Sequence, residues 1–477
     1  MSGKKESDEE VTAFRRVLPQ ILAVTAKSTL QLSFGLSVAF PTLVIPAIAK
    51  PDSDLTLNKD QVSWLGSLFF IVIPFGCLLS GPCTLRFGRK TVMIALSLPF
   101  SAAWYFYSEA RTAAELFGVV TLHGLINGLL EAPILTYVAE VCEPDWRGTL
   151  ASTSILFSLA GVFLQFFIGN YLDWRKAALV NVAVPLVSFV SICLIPESPH
   201  WLISRGRLGD AEGSLRWLRG WVGPEAVKKE LEELTTSIQS VEGKRPFALR
   251  PYMKASFLKP FSMVVVSFLI GHFSGMSTLQ TYAVGIFEDL KSPVGAYSAT
   301  AAEGLVQFFG ALLCVCILPF IGRRLLAITT TATTGVCLIF LAIVGEGWPA
   351  VVFLLISVFL INSCSKIFPW VLIGEVFSPD VRSVASGAAS CIGYALGFLV
   401  NKTFFFSVSL FTLRGLLASY GVVSLLGSLY YFLLLPETEG RTLDEVQEHF
   451  RGNLDLTKEK RRRASSGVTN DAFSPEP

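Results

Sequence analysis

The chain has 477 residues, of which 52% are hydrophobic and 16% charged, and its mean hydropathy is +0.56. Soluble proteins carry roughly a quarter of their residues as charges, so this composition argues against a soluble enzyme. The 39 Lys and Arg balance 37 Asp and Glu, which removes the basic footprint of a nucleic-acid binder, and the 4 His and 9 Cys show no metal-ligand spacing, so no metal or cofactor is expected.

From the N-terminus, a charged tail (MSGKKESDEE) precedes a first apolar segment that no small-residue cleavage site follows, so the segment reads as a retained span. Twelve apolar stretches are long enough to cross a hydrocarbon layer of about 30 Å. They cover 19–46, 62–83, 91–108, 113–139, 150–172, 177–195, 258–284, 297–318, 325–344, 348–374, 384–405 and 413–435. The charged stretch 196–257 divides them six and six, and within it 224–241 has the mixed Leu and charge of a short amphipathic helix opened by Gly223 and Pro224. The predicted architecture is an all-α membrane protein. Its twelve transmembrane helices form two pseudo-symmetric six-helix bundles, 17–195 and 258–435, with tails 1–16 and 436–477 and the linker 196–257.

Lys and Arg set the orientation. Arg15, Arg16, Arg86, Arg89, Lys90, Arg147, Arg323, Arg324, Arg382, the stretch 205–250 and the run KEKRRR at 458–463 fall on one side, which places both termini in the cytosol. The cysteines lie in spans or near that face, so no exterior disulfide framework is expected.

The halves repeat one another. Glu140 to Arg147 (EVCEPDWR) returns as Glu375 to Arg382 (EVFSPDVR), Gly88-Arg89-Lys90 returns as Gly322-Arg323-Arg324, and Pro196-Glu197 returns as Pro436-Glu437, at offsets of 235, 234 and 240. All sit at cytosolic span ends. Arginine bridges carboxylates with bidentate geometry, so Glu140 with Arg147 and Glu375 with Arg382, together with Arg89 and Arg323, are expected to form gating networks that hold the two halves together at that face.

The set RFGRK (86–90), EVCEPDWRG (140–148), PESPHWL (196–202), IGRR (321–324), PW (369–370) and PETEGRTLDEV (436–446) resembles the sugar porters of the major facilitator superfamily over nearly all of 17–446. GNYLDW (169–174) and VNKTF (400–404) look most like the insect facilitated trehalose transporter branch. The resemblance implies a central cavity lined by spans one, four, seven and ten, opened to each side in turn by rocking halves. Several positions depart from the family pattern. The seventh-span amides fall on Gly271, His272 and Ser277, the fifth-span amide on Ile155 and the eleventh-span amide near Gly393; Lys366 stands where a small residue is usual, while the tenth-span aromatic is kept as Trp370. The first-span acid falls near Ser37 and the fourth span has no Arg, which favours a uniporter.

Ionisable residues inside a membrane are functional hypotheses by default. Glu131 lies nine residues before Glu140 and Lys366 nine before Glu375, so both sit roughly 13 to 14 Å above the cytosolic helix ends as repeat mates of opposite charge. They are expected either to pair across the cavity or to hold the two ends of a polar substrate. Lys366 shares a helix face with Trp370, Lys27 is expected to snorkel to the boundary, and Ser274, Ser277 and Thr281 are expected to share one face.

The reading is a facilitative, uniport-type carrier of a sugar such as trehalose or a hexose, multi-pass in the plasma membrane. Its substrate contacts are Trp370, Lys366, Glu131, His272, Ser277, Gln280 and Tyr282, and its gate is Arg89, Glu140, Arg147, Arg323, Glu375 and Arg382. Two alternatives stand beside it: a carrier of an organic anion or zwitterion held by Lys366 and His272, and a non-transporting sugar sensor on the same fold. The expected partners are the small-molecule substrate, the lipid bilayer and a basophilic kinase at Ser465. Asn401-Lys402-Thr403 fits the glycosylation pattern at a depth that shields it.

Overall fold

The structure, a computed structural model, describes residues 13–50, 54–241, 255–317, 321–377 and 379–457. Twelve helical spans are present among them. The first runs over Ala13–Ala39 and resumes as Pro41–Ile48, breaking where Pro41 removes a backbone donor. The second (Lys59–Phe87) and fourth (Ala113–Val141) each open on a reciprocal capping box, Asn58 with Gln61 and Thr112 with Glu115. The third is Arg89–Glu109, the fifth Pro144–Gly169 and the sixth Trp174–Asn181 continued by Ala183–Cys193.

In the second half, the seventh span is in three pieces, Ala255–Phe273, Thr278–Thr281 and Ala283–Asp289. The eighth and ninth are Ala296–Ile317 and Arg323–Val344. The tenth, Gly347–Leu360, passes through a π-helical turn, Ile361–Ser365, into Phe368–Val376. The last two spans run on from one another as Pro379–Leu434 and are separated at Thr412, whose φ of 63° is non-helical. Between the halves lie Pro199–Ser204, Leu208–Leu218 and Pro224–Val241, and Leu443–Arg451 closes the described chain.

Close approach of helices inside the first half depends on glycine. A Cβ on Gly76 would lie 2.8 Å from the Cα of Gly128, so the second and fourth spans touch backbone to backbone. The apolar core of this half surrounds Phe100, Trp104 and Tyr137. The other half carries two clusters: one about Phe268, Phe368, Phe377 and Tyr431, the other about Tyr282, Phe287, Leu354 and Tyr420. The halves meet along two seams, the second span against the eleventh and the fifth against the eighth.

Candidate functional site

At the basic end, the third span begins at a glycine with φ +96° and presents unpaired N–H groups, as every helix start does. The Glu197 carboxylate fills that start. Its Oε1 accepts from the N–H of Arg89 and of Lys90, both at 3.0 Å, and its Oε2 accepts from Thr91 at 3.3 Å. A Cβ on Gly88 would lie 2.5 Å from this carboxylate, which is why glycine precedes the arginine. The Arg89 guanidinium in turn donates to Glu140 at 2.7 Å, and Ser198 donates to the other Glu140 oxygen. The second half repeats the device: Arg323 N–H donates to Glu437 at 3.1 Å, the Arg323 side chain pairs with Glu375 and with Glu439, and Thr438 donates to Glu375 at 2.8 Å.

This pairing differs from the sequence expectation. Glu140 takes Arg89 rather than Arg147, which donates instead to the Cys142 carbonyl at 3.3 Å. Glu375 takes Arg323; the Arg382 side chain lies outside the described residues. The pairs run inside each half and do not tie the halves to one another, because the helix start that orients each arginine belongs to the same bundle as its carboxylate. Glu143 extends the first network to Arg16 at 2.7 Å and to Arg219 at 3.4 Å. Next to it, His200 is held below the usual imidazole range by burial.

Near the midplane two helices are irregular. The seventh span breaks at Gly275, φ +92°, and His272 Nδ1 meets Ser277 Oγ at 2.6 Å across the break. Ser274, Ser277 and Thr281 therefore do not share a continuous helical face. In the tenth span the Lys366 N–H reaches back five residues to the Ile361 carbonyl at 3.0 Å, a π-type bond of the kind that clusters at functional sites. The Lys366 ammonium donates to Gln280 Oε1 at 3.0 Å, and the Gln280 carbonyl accepts from Thr42 of the first span at 2.8 Å. Trp370 stands edge-on to Phe268 at 5.2 Å and 6.0 Å from Tyr394, whose hydroxyl donates to Glu131 Oε2 at 3.4 Å.

Glu131 and Lys366 are thus not bonded to each other. Each is half-buried and takes a neutral partner, Glu131 from the opposite half and Lys366 from its own. His272, Ser277, Gln280 and Tyr282 are buried. Tyr282 belongs to the far end, stacked on Phe404 at 4.2 Å with its hydroxyl donating to the Asn401 carbonyl at 2.9 Å. Lys27 does not snorkel: it is fully buried and donates to Ser154 of the fifth span. Ser37 meets His123 Nδ1 at 3.1 Å inside an aromatic cage of Phe100, Trp104 and Tyr107.

Opposite the basic end, bonds cross from half to half. Lys402 donates to Asp60 at 2.6 Å and to Ser63 at 2.8 Å, with its ammonium 4.5 Å from the Trp64 ring; Ser298 donates to Asn170 at 2.9 Å. Asn401 is fully buried beneath this seam, so the glycosylation pattern it begins is inaccessible. Four contributors escaped the sequence reading: Tyr394, His123, the Asp60–Lys402 latch and the buried pair Glu303 and Gln307, which are 3.0 Å apart in the eighth span. Glu303 had a signal, an acid amid the apolar run AAEGLVQFFG; the latch had none, since its partners are 342 residues apart.

A family model described as "Sugar (and other) transporter" matches residues 23–450. The chain belongs to this transporter family. Among its relatives is the facilitated trehalose transporter Tret1 of Apis mellifera ligustica, 26% identical over 95% of this chain and 94% of that one. The protein of the same name in Bombyx mori is also 26% identical, over 90% and 86% of the two chains. The fold matches the inward open conformation of the xylose transporter XylE from E. coli with a TM-score of 0.75 at 19% identity, covering 89% of this chain and 98% of that one. The partially occluded inward open form of XylE matches at 0.72 and 21% identity, covering 90% and 99% of the two chains. The transporter is an integral, multi-pass membrane protein of the major facilitator fold.

Proposed function

We propose that the protein is a facilitative carrier moving trehalose or a hexose across the plasma membrane by alternating access, with the bundles 17–195 and 258–435 as its moving bodies. The observation that carries this reading is the distribution of bonds along the molecule. Among the described residues, the bonds that cross between the halves lie at the end poor in basic residues and near the midplane, where Thr42 meets Gln280 and Tyr394 meets Glu131, while the ion pairs of the basic end run within each half. With the basic end in the cytosol, the passage is sealed outside and free to open inside, and both termini are cytosolic. Discontinuous helices at the midplane are where carriers of this architecture hold their cargo, which favours Trp370, Lys366, Glu131, His272, Ser277 and Gln280 as contacts. Arg89, Glu140, Arg323 and Glu375, with Arg147 beside the first pair, set the geometry of the inner mouth, which Arg382 joins as the repeat mate of Arg147, and Tyr282 helps to close the outer one. Phosphorylation of Ser465 lies outside the described residues.

Uptake of labelled trehalose, glucose, fructose and small organic ions by oocytes expressing the chain tests this reading. Saturable sugar uptake that equilibrates without accumulating is expected, and Trp370→Ala should lower it about five- to tenfold, the loss of one aromatic contact of roughly 1–1.4 kcal/mol. Absence of saturable uptake of every sugar would refute it. The Lys366 ammonium beside Trp370 favours, as a second reading, an organic anion or zwitterion as cargo; competition by small carboxylates that Lys366→Met abolishes would select it.

A further inference from the structure

Glu303 and Gln307 lie one turn apart on the eighth span, each about 1% exposed. Gln307 Nε2 donates to Glu303 Oε1 at 3.0 Å. The remaining atoms of the two planar groups, Glu303 Oε2 and Gln307 Oε1, have no hydrogen-bond partner among the described residues. A carboxyl and a primary amide joined through the N–H cis to the amide oxygen hold these leftover atoms on one edge, and with the carboxyl ionised both are acceptors. Turning the amide over does not help, because its oxygen would then face Glu303 Oε1. Buried polar atoms are almost always satisfied, and a protonated carboxyl is the form of Glu that donates. One proton on Oε2, donated to Gln307 Oε1, satisfies both atoms and closes a two-bond acid–amide ring.

We propose that Glu303 and Gln307 form a proton-binding site in this conformation and that its occupancy gates transport. The charge that acts on Glu303 comes from Lys366 of the tenth span, which is within electrostatic range and is held toward Gln280 of the seventh. The fifth span brings the backbone of Phe163 and the ring of Phe166 against the adjacent Gly304, and Glu288 and Asp289 on the last piece of the seventh span are exposed at the far end. The proton and Lys366 are therefore alternatives for one carboxylate. With the proton bound, Lys366 stays on Gln280; when the ammonium swings to Glu303 the proton leaves, and Gln280 is freed beside the broken helix. Movement of a cavity cation between two partners, one of which also contacts the first span through Thr42, ties the proton to the rocking of the halves.

The gating half of the proposal rests on the carrier reading, whereas the proton site does not, so two measurements separate them. Infrared spectra of the purified protein in detergent, with no substrate present, should show the carbonyl stretch of a protonated carboxyl that is lost in Glu303→Gln. Its absence from the wild type, or its persistence in the variant, overturns the site. Uptake of the transported sugar should change with pH by up to about tenfold per unit on the limb set by one proton and become flat in Glu303→Gln, which keeps a neutral amide pairing with Gln307. A variant that retains the wild-type profile overturns the gating. An infrared band accompanied by no sugar uptake at all leaves the proton site standing and refutes the sugar reading instead.

Discussion

The two ends of the molecule use charged pairs to opposite purpose. At the basic end, Arg89, Glu140 and Glu197 and their repeat mates Arg323, Glu375 and Glu437 fasten helices of one bundle to each other. At the far end, Lys402 and Asp60 fasten one bundle to the other. The difference is what places the pivot: an end whose charges are satisfied within each bundle can separate without leaving a buried charge unpaired, while an end sewn across the seam must give up its pairings to open. Duplication accounts for the symmetry of the first arrangement; in the second, the repeat-related seam between the fifth and eighth spans carries the neutral bond from Ser298 to Asn170 where the other carries the Lys402 ion pair.

The comparison breaks most readily at the helix starts. Glu197→Ala removes the acceptor of three consecutive N–H groups of the third span and of the neighbouring Ser198 N–H, whereas Glu437→Ala removes that of Arg323 and of the neighbouring Glu439 N–H. At roughly 1 kcal/mol for each donor left unpaired in a partly buried place, the first substitution should cost about 4 kcal/mol and the second about 2. Thermal unfolding in detergent checks the order, and equal shifts would mean that the helix starts are not what the carboxylates stabilise. A smaller effect is expected at the far end. Lys402→Met removes a partly exposed ion pair worth up to about 1 kcal/mol, a roughly fivefold change in the ratio of outward to inward forms. Alkylation of a cysteine introduced at Ser67, beneath the latch, by an impermeant reagent should rise by that factor, and unchanged labelling would remove Lys402 from the seal.

Much of this was legible in the sequence. Twelve apolar stretches, a charged divider and three repeated clusters determine the architecture, because hydrophobic length and duplication are local signals. The amphipathic segment 224–241 is likewise the helix Pro224–Val241. Partner choice within a cluster was not legible. Glu140 and Arg147 are close in sequence, yet Arg89, brought in from the third span, takes the carboxylate once Glu197 has anchored that helix start. The seventh-span face predicted for Ser274, Ser277 and Thr281 failed because one glycine with positive φ interrupts the 3.6-residue period. Lys27 lies eleven residues past Arg16, within a long stem's reach of the boundary, but the serine that receives it lies 127 residues away on the fifth span.

The finest test of the contrast between the ends uses a charge cluster of the far end that does not cross the seam. Glu346, in the loop before the tenth span, pairs with Lys291 at 2.8 Å and Arg414 at 3.0 Å, all three in the second half. These cations, with Lys291 the larger influence, hold its carboxyl below the usual range for glutamate. A carboxyl depressed in the folded state stabilises fully above its unfolded value, and the contribution is lost as pH falls through the folded one. The group is solvent-exposed, so the effect is small and screened by salt. Glu346→Gln should flatten a shallow loss of thermal stability on acidification below the ordinary glutamate range, while leaving the labelling behind the Lys402 latch unchanged. If Glu346→Gln alters that labelling as much as Lys402→Met does, the loop belongs to the seal, and fastening at the far end is not confined to the seam between the halves.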